Sequence, residues 1–218
     1  MYLSRVQVDK SNRLKIKDLT NLGAYHGWVE QSFPEKYIEG NRPRHLWRID
    51  KLGDKEYLLV VSEERPDLQR LEKYGVLNTA ETKNYDHYLD GITNNSKWRF
   101  KLTANPTYRI NDEKGSRVVP HITVDQQLNW LIERSEKNGF KFLTNDEKSS
   151  ISVDIIERDW PILRKKRRVK LSRVTFEGIL EVTDKNKFKS VLTKGIGKEK
   201  AYGMGLLTVI PFKVNNEE

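Results

Sequence analysis

Seven residues near the middle of the chain limit its architecture more than any others. From Trp98 to Ala104, the residues Trp98, Phe100, Leu102 and Ala104 fall on one side of an extended backbone, and Arg99, Lys101 and Thr103 fall on the other. Side chains alternate with a period of two along a strand, so this segment is a strand with one buried face and one basic face. Asn105-Pro106 ends it. A strand of this kind suits an antiparallel sheet that carries helices on one side and leaves the other side open to a ligand.

The remaining elements follow from similar cues. Tyr2 to Val8 reads as a strand, followed by a polar turn over Asp9 to Asn12. Asp18 is placed to cap a helix running to about Phe33, with Leu19, Leu22, Val29 and Phe33 on one stripe. Leu46 to Asp50 and Tyr57 to Val61 read as a hairpin turning at Gly53-Asp54. Pro66 to Tyr74 suggests a short helix stopped by Gly75, and residues 76–95 carry no readable pattern. Thr123 and Gln126 make a capping box for a helix ending at Asn138-Gly139. Phe140 to Leu143, Ile151 to Ile155 and the alternation of Val174, Phe176, Leu180 and Val182 are strand-like. Asp184 can cap a helix carrying Phe188, Val191 and Leu192, which Gly195 stops, and Leu206 to Phe212 is a last strand. Two tandem ferredoxin-like (RRM-like) domains of the α+β class, with antiparallel sheets, fit this order. The expected division is 1–94 and 95–218.

Charge narrows the function. Lys and Arg number 40 against 31 Asp and Glu, a net +9, which points first to a polyanionic partner and above all to nucleic acid. There is no cysteine, so a disulfide scaffold, a thiolate metal site and a cysteine nucleophile are excluded. The opening Met1-Tyr2-Leu3-Ser4-Arg5-Val6 lacks a signal-peptide core, and no apolar run approaches the roughly 18 residues of a membrane span. The chain therefore reads as cytoplasmic, with no membrane partner.

Three sequence features carry candidate chemistry. The segment from Gly195 to Gly205 places Gly195, Gly197, Gly203 and Gly205 with Lys198 and Lys200 between a helix and a strand. Such glycines let backbone amides approach a phosphate that the lysines neutralise, although a turn that merely needs positive φ explains them as well. It is neither a dinucleotide fingerprint nor a Walker loop, since a strand follows and no Gly-Lys-Ser/Thr is present. Arg164, Lys165, Lys166, Arg167 and Arg168, with Lys170 and Arg173, put seven positive charges in ten residues, suited to a phosphate backbone or to a solvated hairpin tip. Arg42, Arg44 and Arg48 form a weaker cluster, and the Arg99 and Lys101 face another.

The third feature is His26. Its spacing puts it on the apolar stripe of the first helix, where a packed histidine is the plain reading. Gly23 and Gly27 beside it, each costing roughly 1 kcal/mol against alanine, suggest instead an open notch for a substrate. Tyr25 adds an ionisable hydroxyl next door. His45, His87 and His121 have no partner at metal-ligand spacing, and the carboxylates are dispersed, so no metal and no cofactor are expected.

With those residues in view, the chain resembles the CasE family of type I-E CRISPR systems. The resemblance is carried by Met1-Tyr2-Leu3-Ser4, by Phe100-Lys101-Leu102-Thr103-Ala104-Asn105-Pro106, by Val174-Thr175-Phe176-Glu177-Gly178-Ile179-Leu180, and by Gly195-Ile196-Gly197 through Gly205-Leu206-Leu207. It implies two ferredoxin-like domains and cleavage of precursor CRISPR RNA at the repeat stem-loop. It further implies retention on the mature guide RNA beside the other Cascade subunits. The family's catalytic histidine falls at His26. Its frequent tyrosine three residues earlier is Gly23 here, and Tyr25 is the neighbouring hydroxyl. The resemblance places Arg164–Arg168 on a hairpin entering the RNA major groove and the glycine-rich loop against the RNA backbone.

The expected reaction is metal-independent: the 2′-hydroxyl beside the scissile phosphate attacks it, with His26 as acid, base or both. Lys36 and Arg42 are candidates for stabilising the phosphate charge. A non-catalytic hairpin-binding subunit of a ribonucleoprotein complex is the alternative, and a general RNA- or ribosome-associated module is a third reading.

Overall fold

The structure is a computed structural model and describes residues 1–34, 43–113, 115–145, 150–164 and 169–212. In chain order the first half contains β1 (Tyr2–Gln7), α1 (Arg13–Ile16), α2 (Leu22–Gln31), β2 (Leu46–Leu52), β3 (Lys55–Ser62), α3 (Leu68–Leu71), β4 (Glu81–Asn84) and α4 (Asp86–Asp90). Its four strands pair antiparallel in the order β2-β3-β1-β4. The second half contains β5 (Lys97–Ala104), β6 (Thr107–Asp112), β7 (Gly115–Pro120), α5 (Val124–Ser135), β8 (Phe140–Phe142), β9 (Thr144–Asn145) and β10 (Ser150–Ile151). It continues through β11 (Val153–Asp159), β12 (Ile162–Arg164), β13 (Val169–Lys170), β14 (Arg173–Val182), α6 (Lys185–Lys194) and β15 (Leu207–Pro211). Here the order is β11-β14-β5-β15, and β8 lies beside the Leu180–Val182 end of β14. With β8 and β11 together standing in for one strand, the second sheet repeats the topology of the first. This is the tandem ferredoxin-like, α+β arrangement expected from the element order.

The alternation in β5 is what holds the second sheet to its helices. Leu102 lies opposite Phe176 of β14 and Leu207 of β15, and all three are fully buried. They form a row under Trp130 and Leu131 of α5 and Phe188 and Leu192 of α6. The Thr123–Gln126 capping box starts α5, and the Asp184 carboxylate, accepting from the amides of Asn186 and Lys187, starts α6. In the first half, Val6, Val8, Leu58 and Val60 pack beneath Leu22, Trp28, Val29 and Phe33.

Several expectations need correction. Asn21, not Asp18, caps α2: its side chain accepts from the Ala24 amide, while Asp18 to Thr20 form a turn closed by Thr20 N–H to Asp18 C=O. Residues 76–95, unreadable in sequence, contain β4 and α4. A hairpin, β6–β7, occupies 107–120 and was not foreseen.

The face of the first sheet away from its helices is also not free. Leu46 and Val61, with the half-buried Leu3 and Leu59, join the core of the second half. Beside this junction lies a cleft of about 640 Å³, lined by Leu22 and Tyr25 of α2, Trp47 and Lys51 of β2, Lys101 and Thr103 of β5, and Arg173 among others.

Arg48 spans that junction instead of joining an exposed basic cluster with Arg42 and Arg44. Only 2% of it is exposed. From β2 it makes a bidentate pair with Asp50 (2.7 and 2.8 Å), and it also donates to the Lys101 and Leu206 carbonyls (2.9 Å each) and the Thr208 hydroxyl (2.7 Å). Removing one partner of a buried, fully bonded ion pair strands the others, at a cost of about 3–5 kcal/mol. Arg48→Ala is therefore expected to lower the urea midpoint by that equivalent. A loss below about 1 kcal/mol, the scale of an exposed pair, would contradict its role as the clamp between the sheets. Among the described residues, no helix is long and apolar enough to cross a membrane.

Candidate active site

Helix α2 is anchored by Trp28 and Val29, both at most 1% exposed, and by the Trp28 indole N–H donating to the Leu71 carbonyl (3.0 Å). His26 therefore stands on a fixed support, with 23% of its side chain exposed. The two glycines beside it differ. A Cβ at Gly27 would meet nothing within 4 Å, so that side is open as expected. A Cβ at Gly23 would come within 3.2 Å of the Leu163 carbonyl. Gly23 is thus no part of a notch; it allows α2 to approach the backbone of β12, which leads into the Arg164–Arg168 segment.

The glycine-rich loop arrives on another side of α2. Gly195, Gly197, Gly203 and Gly205 all have positive φ. At Gly203 (φ 77°) a side chain is excluded twice, by that conformation and by the Trp47 ring, which a Cβ would approach to 2.6 Å. The Trp47 indole N–H donates to the Ala201 carbonyl (2.9 Å), fixing the loop to β2. The loop thereby brings Tyr202 edge-on to His26, with ring centroids 5.5 Å apart.

A line of polar groups continues from His26. Its Nδ1 lies 3.8 Å from Glu30 Oε1, one turn along the helix, and the same oxygen lies 3.1 Å from His45 Nδ1. His45 is buried, stacks on Phe33 (centroids 3.9 Å apart, planes 8° apart), and presents Nε2 3.9 Å from Glu64 Oε2.

The structure separates the other candidates. Tyr25 points away from His26, stacks on Trp47 (5.9 Å) and lines the cleft. Burial, reinforced by Glu56, pushes its hydroxyl above the usual tyrosine range. Lys200 donates to the carbonyls of Lys194 and Gly195 (2.7 Å each), capping α6, and burial together with the Arg44 charge lowers its pKa. Lys101 pairs with Glu177 (3.1 Å), and Arg99 lies over the Phe212 ring. Arg44, Lys170 and Lys198 are exposed. Lys36, Arg42 and Lys165 to Arg168 lie outside the described residues, and Arg164 ends β12.

Tyr202, Glu30 and His45 were missed in the sequence. The i,i+4 spacing of His26 and Glu30 was the one available signal, since such pairs face each other on a helix. Among the described residues no three His, Asp or Glu side chains are grouped to hold a metal ion.

The family described as CRISPR associated protein matches residues 1–211. The CRISPR-associated endoribonuclease Cse3 of Thermus thermophilus is 29% identical over 220 residues, covering 97% of this chain and all of that protein. The solved structure of Thermus thermophilus Cse3 bound to an RNA representing a pre-cleavage complex matches with a TM-score of 0.80 at 28% identity. It covers 96% of this chain and 98% of that one. Two further solved structures share the fold over 97% of this chain and all of theirs. They are Cas6e from Escherichia coli str. K-12 (22% identity, TM-score 0.69) and a chain of a CRISPR RNA-guided surveillance complex (21%, 0.63).

Proposed function

The chain belongs to the CRISPR associated protein family and is of the CasE type, and from that premise we propose that it is an endoribonuclease. It cleaves precursor CRISPR RNA at the repeat stem-loop without a metal ion and stays on the mature guide RNA among the other Cascade subunits. One observation carries this reading. Helix α2, which holds His26, is bordered on one side by β12 at the root of the basic segment and on another by the glycine-rich loop. A group suited to proton transfer thereby stands on a helix flanked by the strand that leads into the basic run and by the glycine-rich loop.

The chemistry follows from what those groups can do. The 2′-hydroxyl beside the scissile phosphate attacks phosphorus, the 5′-oxygen leaves, and the upstream fragment ends in a 2′,3′-cyclic phosphate. An imidazole titrates near neutral pH, so His26 can take the hydroxyl proton, supply the leaving-group proton, or do both in turn. Arg164 to Arg168, Lys170, Arg44 and Lys198 are assigned to the phosphate backbone, with Lys36 and Arg42 beside the reacting phosphate. The packing of Gly203 against Trp47 supports a loop whose backbone is shaped before RNA arrives. Tyr25, with its hydroxyl held protonated in the cleft, stands outside the proton transfers in this reading. The proposed division at 94/95 is supported by the two sheets, which draw their strands from 2–84 and 97–211.

Incubating the purified protein with a repeat hairpin RNA in excess EDTA tests this. Cleavage at one position, equal with and without chelator, is expected. Cleavage that stops in EDTA and returns with a divalent ion would overturn metal independence. Binding without cleavage in either condition would favour the non-catalytic hairpin-binding subunit.

A further inference from the structure

We propose that Glu30, itself held by His45, is the positioning residue of His26: it keeps the proton of the neutral imidazole on Nδ1 and leaves the Nε2 lone pair to receive the 2′-hydroxyl proton. This deepens the proposed ribonuclease reading and rests on it.

The geometry is specific. Glu30 Oε1 faces both histidines, at 3.1 Å from His45 Nδ1 and 3.8 Å from His26 Nδ1. The shorter distance is a hydrogen bond, in which the His45 ring N–H donates to the carboxylate. His45 has little freedom, because it is 6% exposed, lies flat on Phe33 and sits between Glu30 and Glu64. Glu30 is thus fixed from behind by a buried ring, and its carboxylate is presented to His26 from the adjacent helical turn. The longer distance exceeds a hydrogen bond, but catalytic contacts are often loose without substrate and tighten when it binds. A histidine's tautomer is set by the partner of its second nitrogen. A carboxylate facing Nδ1 selects the Nδ1–H form and favours the charged imidazolium once Nε2 has taken a proton.

Each step balances. The 2′-hydroxyl proton passes to Nε2, the oxygen's electron pair forms the bond to phosphorus, and the bond to the 5′-oxygen breaks, that oxygen taking a proton back from the His26 imidazolium or from solvent to become a 5′-hydroxyl. No group beyond the RNA, the protein and solvent is required. Among the described residues, Tyr202 also meets the His26 ring, edge-on from the glycine-rich loop. Glu64 acts on His45.

The test compares wild type, Glu30→Gln and His26→Ala by single-turnover cleavage across pH, by hairpin affinity, and by nitrogen NMR of the histidine rings in the wild-type protein. Glu30→Gln should slow cleavage about 10- to 100-fold, the range found when the partner that orients a metal-bound histidine is lost. It should move the acid limb of the pH profile down by about one unit and leave affinity within about twofold. In wild type, neutral His26 should be the Nδ1–H tautomer. If His26→Ala is inactive but Glu30→Gln matches wild type in rate and pH profile, the positioning role falls while the ribonuclease reading stands. If His26→Ala cleaves normally, His26 leaves the chemistry and the positioning role falls with it; only a wild-type protein that binds the hairpin without cutting it would overturn the ribonuclease reading. Should Glu30→Gln fail to fold, the wild-type tautomer decides: an Nε2–H ring refutes the proposal and an Nδ1–H ring supports it.

Discussion

His26→Ala is expected to lower single-turnover cleavage of a repeat hairpin by at least about 100-fold, the contribution of a positioned general acid or base, while changing hairpin affinity by less than about twofold. The site explains the separation of the two effects. His26 projects beside the open flank at Gly27, where a substrate can approach, whereas the fold of α2 depends on Leu22, Trp28, Val29 and Phe33. Truncation forfeits an edge-on contact with Tyr202, worth about 0.5–1.5 kcal/mol, which a helix anchored on those four residues can absorb. In the proposed reading RNA affinity rests on dispersed cationic groups, none of which the substitution touches. Thermal melting of the variant should therefore stay close to wild type. Undiminished cleavage would remove His26 from the chemistry. A collapse in melting temperature would make it a packing residue, as its place on the apolar stripe first suggested.

What could be read from the letters follows physical lines. The strand β5 was legible because its alternation is set by burial against α5 and α6 on one face only. Helices α5 and α6 were legible because their caps, Thr123 with Gln126 and Asp184, are local hydrogen bonds between neighbours in sequence. The β6–β7 hairpin was not legible. Most of its residues are exposed, so no period of two is impressed on its letters, and it is held by backbone pairing from Thr107–Pro120 to Asp112–Gly115. Strand β4, Glu-Thr-Lys-Asn, is likewise a polar edge strand that gains its conformation from pairing with β1. The first helix was drawn three residues too long at its start because Asp18 and Asn21 both suit an N-cap, and only the observed Asn21–Ala24 bond decides between them.

The site divides in the same way. Composition marks the glycine-rich loop and the basic run, whereas His26, one of four histidines, was singled out by the glycines beside it and by the family resemblance. Their arrangement was not, since Tyr202 reaches His26 across the whole chain and His45 reaches Glu30 only once β2 has folded beside α2. For Lys200 and Arg48 charge alone could not show the bonds made within the fold: Lys200 donates to two carbonyls, and Arg48 to Asp50, Thr208 and two further carbonyls.

Removing a single atom from the RNA tests the proposed mechanism most directly. In the proposed metal-free reaction nothing lowers the pKa of water from far above neutral, so hydroxide is scarce at neutral pH. The nucleophile within reach is the 2′-hydroxyl of the nucleotide preceding the cut. A repeat hairpin with one 2′-deoxy substitution at that nucleotide should bind with unchanged affinity and show no cleavage, a loss of more than about 1000-fold, since the attacking oxygen is gone while the phosphates and the stem remain. The unmodified RNA, cut in excess EDTA, should give an upstream fragment ending in a 2′,3′-cyclic phosphate and a downstream fragment beginning with a 5′-hydroxyl. Cleavage of the deoxy substrate, or a 5′-phosphate on the downstream fragment, would show that water attacks, and would contradict both the 2′-hydroxyl mechanism and the role given to His26 within it.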